Sequence, residues 1–117
     1  MPAYTIFTAS ATPVHGVART RGKTAAFTIP VPQGASIRDI HIRNNTANSV
    51  TGGIKIGTAA GGTDVLAAGT VNFNALVSFV PLIGAANPSA VRTLYVDAVT
   101  GWNSANIDIA IEWIELT

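Results

Sequence analysis

The chain has 117 residues, of which seven are basic and six acidic, with 48% apolar residues, no cysteine and a formal net charge of +1. One domain is expected at this length, large enough to bury roughly 65% of the surface of the unfolded chain. Disulfides and cysteine-ligated metals are excluded, and the near-neutral charge argues against a nucleic-acid partner, which calls for a basic face. Charged residues make up 11% of the chain, well below the usual ~25%. A solitary monomer normally needs a more charged surface to stay dispersed, so much of the outside is expected to be covered by protein. A membrane is not the expected cover. The longest apolar stretch, ALVSFVPLIGAA, is about 12 residues with a serine and a proline inside it, whereas a spanning helix needs about 20. The opening MPAYTIFTASATPVHG has neither a basic region nor a clean apolar run, so no secretory signal is expected.

Apolar residues do not recur at helical spacing, and β-branched residues dominate the ordered runs. Residues 4–8 (YTIFT) predict a short first strand. Residues 9–22 show neither alternation nor helical spacing and predict an extended arm or long loop, with a small basic cluster of Arg19, Arg21 and Lys23. Residues 23–30 place Ala25, Phe27 and Ile29 on one face and are expected to stop at Pro30. In 36–43, Ile40 and Ile42 point inward and Asp39, His41 and Arg43 outward; Ile37 has the wrong parity, which predicts a bulge or a strand start just after it. Further strands are expected at 52–58, 64–71, 75–81 and 92–99. The clearest is 105–114, where Ile107, Ile109, Ile111 and Trp113 share one face and Asp108 and Glu112 the other, the period of a half-buried antiparallel strand. The expected fold is all-β: a single antiparallel β-sandwich, jelly-roll-like, of about eight short strands. Residues 1–22 would form the short strand and arm, and 23–117 the sandwich.

Motifs for chemistry are absent. In GTAAGGTD (residues 57–64), Gly57 and Gly62 have the separation of a phosphate-binding loop, but Thr63 stands where the lysine is required and a strand-like run follows. The stretch is therefore expected to be a hairpin connection. His15 and His41 lie in different segments and no metal-ligand spacing surrounds them. Asp97 and Asp108 are acids able to meet across neighbouring strands, most simply as solvated side chains. A serine nucleophile needs an adjacent histidine and an orienting acid; there is no GxSxG elbow, Ser78 lies inside a predicted strand, and His41 reads as a surface residue. No catalytic, cofactor-binding or metal-binding residue is assigned, and no enzyme activity is expected. Asn44-Asn45-Thr46 matches a glycosylation sequon, but NNTANS is made of turn formers and reads as a turn. Trp102 is either a sugar-stacking ring or, more simply, a cap over the core or a contact with a neighbouring subunit.

The segment GGIKIGTAAGGTDVLAA, followed by TLYVDAVTGWNSANIDIAIEWI, resembles small virion structural proteins of tailed bacteriophages over roughly residues 50–114. The resemblance lies in the IKIGT…GGTDV hairpin, the LYVDAVT strand and the WNSA turn. It implies a β-rich, commonly trimeric protein that decorates a capsid or forms the base of a head fibre, with the major capsid protein or another virion protein as partner. It also implies location in the virion after assembly in the host bacterial cytoplasm. The resemblance carries no catalytic residues and no cofactor. The 9–22 arm and the hairpin loops are the expected contact surfaces. The alternative is a carbohydrate-binding module of lectin or receptor-binding type, motivated by Trp102, Tyr95 and the Asn-rich loops.

Overall fold

The computed structural model describes residues 13–71, 76–87 and 89–116. Eight strands are present among them: β1 (Pro13–Lys23), β2 (Phe27–Val31), β3 (Ser36–Asn44), β4 (Ile54–Gly57), β5 (Leu66–Gly69), β6 (Leu76–Phe79), β7 (Arg92–Ala98) and β8 (Ile107–Leu116). All pairings are antiparallel and nested: β1 with β8, β2 with β7, β3 with β6 and β4 with β5. Additional β3–β8 and β4–β7 pairings gather them into two four-stranded sheets, in the orders β1-β8-β3-β6 and β2-β7-β4-β5. A long hairpin rolled over itself in this way is a jelly-roll sandwich.

The core lies between the sheets and follows strand parity. Strand β8 buries Ile107, Ile109, Ile111 and Trp113, the face expected from its alternation. Strand β3 adds Ile37, Ile40 and Ile42, and the second sheet supplies Ile29, Val31, Ile54, Ile56, Leu94 and Val96. Each such side chain contributes about 1.5–3 kcal/mol relative to exposure. The irregularity expected after Ile37 is present as a register shift between Ile37 and Asp39. It allows Ile37 and Ile40 to point to the same side despite their odd spacing.

Three expectations need correction. Residues 13–22, expected as part of an arm, join Lys23 in the longest of the described strands, which pairs with β8 with a register shift between Thr20 and Lys23. The inward positions of β1 hold Gly16, Ala18 and Thr20, so no apolar alternation marks it. Gly16 stands opposite Trp113, and a Cβ there would overlap the indole ring. A glycine is required where a large ring lies across the neighbouring strand. Strand β2 continues through Pro30 to Val31, while Ala25 is exposed outside it. Proline is tolerated because β2 is an edge strand. Asp97 and Asp108 lie in different sheets and do not meet. The strand expected at 4–8 falls outside the described residues.

Candidate functional site

The hairpin loop at residues 58–65 is closed by hydrogen bonds. Asp64 Oδ1 accepts from the Thr58 backbone N–H at 2.9 Å and Oδ2 from the Thr58 hydroxyl at 2.6 Å. These two bonds hold the Asp64 carboxyl below its ordinary range. A Cβ at Gly57 would overlap the Gly62 backbone, so the glycines permit close chain approach. The stretch is the β4–β5 hairpin connection that its sequence predicts.

The other marked residues have local duties. Asn44 is fully buried; its amide donates to the Asn48 and Val71 carbonyls, and its Oδ1 accepts from the Thr46 N–H and hydroxyl. The sequon asparagine is thus the internal brace of the NNTANS turn. Trp102 caps the core: it packs at 6.5 Å and 47° to Phe27, and its indole N–H donates to Asp97 Oδ1 at 2.9 Å. Tyr95 lines a separate shallow depression with Ala60, Gly61 and Asp97.

The first sheet's outer face gathers what the sequence scatters. Its register forms cross-strand rows. Arg19, Ala110, His41 and Ser78 make one row. Val17, Glu112 and Asp39 make the next. Asp108, Arg43 and Leu76 make a third. Because Ala110 is small, the middle of the face is a shallow groove walled by Arg19, Arg21, His41, Arg43 and Leu76.

Two polar clusters lie along it. Asp108 accepts from Arg43 Nη2 at 2.8 Å and from the Gly22 N–H at 2.9 Å, tying the end of β1 to β3 across β8. Partial burial pushes the Asp108 carboxyl up, but the Arg43 guanidinium, the Gly22 N–H and Asn45 outweigh it and hold it below the usual range. In the second cluster, His41 Nδ1 is 2.7 Å from Ser78 Oγ and Nε2 is 2.5 Å from Glu112 Oε2. The Asp39 carboxylate joins them, with the three ligand-type atoms of Asp39, His41 and Glu112 within 4.8 Å of one another. A serine, a histidine and two acids therefore meet where the sequence offered only isolated surface residues. The missed signal is modest: Asp39 and His41 at i, i+2 on one strand face, matched by Glu112 on another.

The edge of the same sheet is apolar. Strand β6 carries no charge, and Leu76, Val80 and Leu82 are 67%, 78% and 65% exposed. This run is held in place by its backbone. The Leu82 N–H donates to the Val65 carbonyl at 2.8 Å, and the Ile37 N–H to the Gly84 carbonyl at 2.7 Å. Residues 76–86 of the ALVSFVPLIGAA stretch are thus an edge strand and an anchored loop.

No protein-family model matches the chain, and no curated protein matches it. A solved structure of the capsid asymmetric unit of cyanophage Pam1 contains a chain that is similar over 90% of this chain and 84% of that one, with a TM-score of 0.44 and 17% identity.

Proposed function

We propose that this chain is a non-enzymatic structural protein of a bacteriophage virion. Specifically, it is a decoration or cement protein that binds the outside of the head as an oligomer, with a trimer favoured. The observation that carries the reading is the uncharged β6 edge with its exposed Leu76, Val80 and Leu82. An open strand edge invites pairing with other chains, and a large exposed apolar patch marks an interaction surface. Here the patch is pre-ordered by backbone hydrogen bonds, so docking on it costs little side-chain and loop ordering. A chain with 11% charged residues has few means of keeping such an edge apart from its copies. Closed symmetry would bury these edges. An oligomer would then grip the major capsid protein or another shell protein through several weak contacts at once. The phage assignment rests on the sequence resemblance over residues 50–114 and not on the jelly roll, a fold with many functions.

The non-enzymatic reading includes the Ser78–His41–Glu112 chain. Ser78 contacts Nδ1 and Glu112 Nε2 on an open sheet face, and we read these bonds as joining β6, β3 and β8. A fluorophosphonate probe is expected to leave Ser78 unlabelled; stoichiometric labelling would make it a nucleophile and overturn this part. The oligomer is tested by light scattering, expected to give a multiple of the 12.0 kDa chain mass. Virion membership is tested by mass spectrometry of purified particles, and absence of the chain there would remove the decoration role.

A further inference from the structure

We propose that Asp39, His41 and Glu112 form a binding site for a divalent transition-metal ion of the zinc class on the outer face of the first sheet. Three features carry the proposal, none of which depends on the virion assignment.

The first is the donor set. One imidazole nitrogen and two carboxylates converge with their ligand atoms within 4.8 Å. Zinc bonds of about 2.0–2.2 Å place ligand atoms roughly 3.3 Å apart, so small side-chain adjustments close the triangle. Three protein ligands leave a fourth position for water or an incoming group. An imidazole in the set favours zinc-class ions over magnesium or calcium, which take oxygen ligands.

The second is the support of the histidine. Ser78 Oγ stands 2.7 Å from His41 Nδ1. With Nε2 on a metal, Nδ1 keeps its proton and donates it to that hydroxyl. This outer hydrogen bond is the kind that fixes ring orientation in metal-ligating histidines. His41 is thus aimed from one side, while on the other its Nε2 lies 2.5 Å from Glu112 Oε2, where a cation would take the place of the shared proton.

The third is an electrostatic arrangement that nothing else in the row offsets. Asp39 and Glu112 are directly paired across β3 and β8. Like charges placed opposite each other on one sheet face are destabilising. The next residue in the row is Val17. Among the described residues the ion pairs are His41–Glu112 and Arg43–Asp108, and neither includes Asp39. The bulge between Ile37 and Asp39 creates this juxtaposition, because it turns Asp39 to the outer face opposite Glu112. Bulges commonly re-aim a side chain at a functional site. A divalent cation would neutralise the facing carboxylates and link the two strands.

The test is calorimetric titration of the full chain with Zn²⁺, repeated on Asp39→Asn and His41→Gln, with Mg²⁺ as control. One Zn²⁺ per chain is expected for the unaltered protein. Each substitution is expected to weaken binding roughly ten-fold or more, with Mg²⁺ giving no comparable heat. The Asp39 carboxylate takes part in none of the side-chain hydrogen bonds or ion pairs described above, its strand pairing being through the backbone, so Asp39→Asn is expected to melt at the same temperature or higher without metal. It should lose the zinc-induced rise in melting temperature. Absence of Zn²⁺ binding at millimolar concentration, or equal binding by all three proteins, overturns the proposal.

Discussion

Strands β1 and β6 bound the same sheet, yet β1 turns His15, Arg19 and Arg21 outward, while β6 ends the sheet with Leu76, Val77, Ser78 and Phe79. Strand β1 is long and blunted by charge, a common defence of an open edge. Strand β6 is short, uncharged and continued by the exposed Val80 and Leu82. The basic cluster first attracts attention as a contact arm, but it belongs to a strand paired with β8 on both sides of a register shift between Thr20 and Lys23. The contrast teaches that scarce charge is spent on one edge and withheld from the other. The uncharged edge is the one expected to meet another chain.

The sharpest way to break this comparison is to charge β6. Leu76→Lys with Val80→Lys is expected to weaken assembly roughly 100-fold, or about 2.8 kcal/mol, bringing the light-scattering mass down toward 12.0 kDa. Arg19→Ala with Arg21→Ala should leave that mass unchanged. If the β1 pair dissociates the oligomer and the β6 pair does not, the assignment of edges is reversed.

A smaller effect tests how β1 is held. Gly16→Val would drive a side chain into the Trp113 ring and is expected to cost about 1–3 kcal/mol in urea unfolding. Removing the β1 arginines should cost no more than about 0.5 kcal/mol each. Equal losses would mean that charge, and not the fit of the indole over a glycine, docks this strand.

The smallest effect concerns the β1–β3 tie. Asp108 titrates below its ordinary value of 3.8 in the folded chain. Near that pH the folded form binds fewer protons than the unfolded form. The contribution of Asp108 is therefore fully present above the unfolded value and is lost as pH falls through the lower folded one. Asp108→Asn is expected to reduce stability at neutral pH by about 1 kcal/mol or less and to flatten part of the decline below about pH 4. An unchanged acid profile in denaturation midpoints would show that the Arg43 and Gly22 contacts contribute nothing.

Much of the architecture was legible. Ile107, Ile109, Ile111 and Trp113 announce β8 because four successive inward positions are large and apolar. The odd parity of Ile37 announces the bulge for the same reason. Strand β1 was illegible because Gly16 must be small to clear the Trp113 ring and the next inward positions are the small Ala18 and Thr20, which erases the apolar alternation. The Asp39–His41–Glu112 cluster was illegible for a different reason: its members are polar residues on a solvent face, and no local pattern specifies which strand lies beside which. The Ser78–His41 contact likewise needs the β3–β6 pairing.

The sequence by itself determined the strand-and-turn character, most buried faces, the hairpin at GTAAGGTD and the shortage of charge. These follow from period-two alternation and turn chemistry, which act over a few residues. Only the tertiary structure decided that residues 13–23 complete a sheet, that one edge stays apolar and that Asp39 faces Glu112. Strand order and register join residues up to 103 positions apart, as in Pro13 with Leu116. They are selected by how the two inner faces fill the space between the sheets, a property of the whole core and not of any one segment.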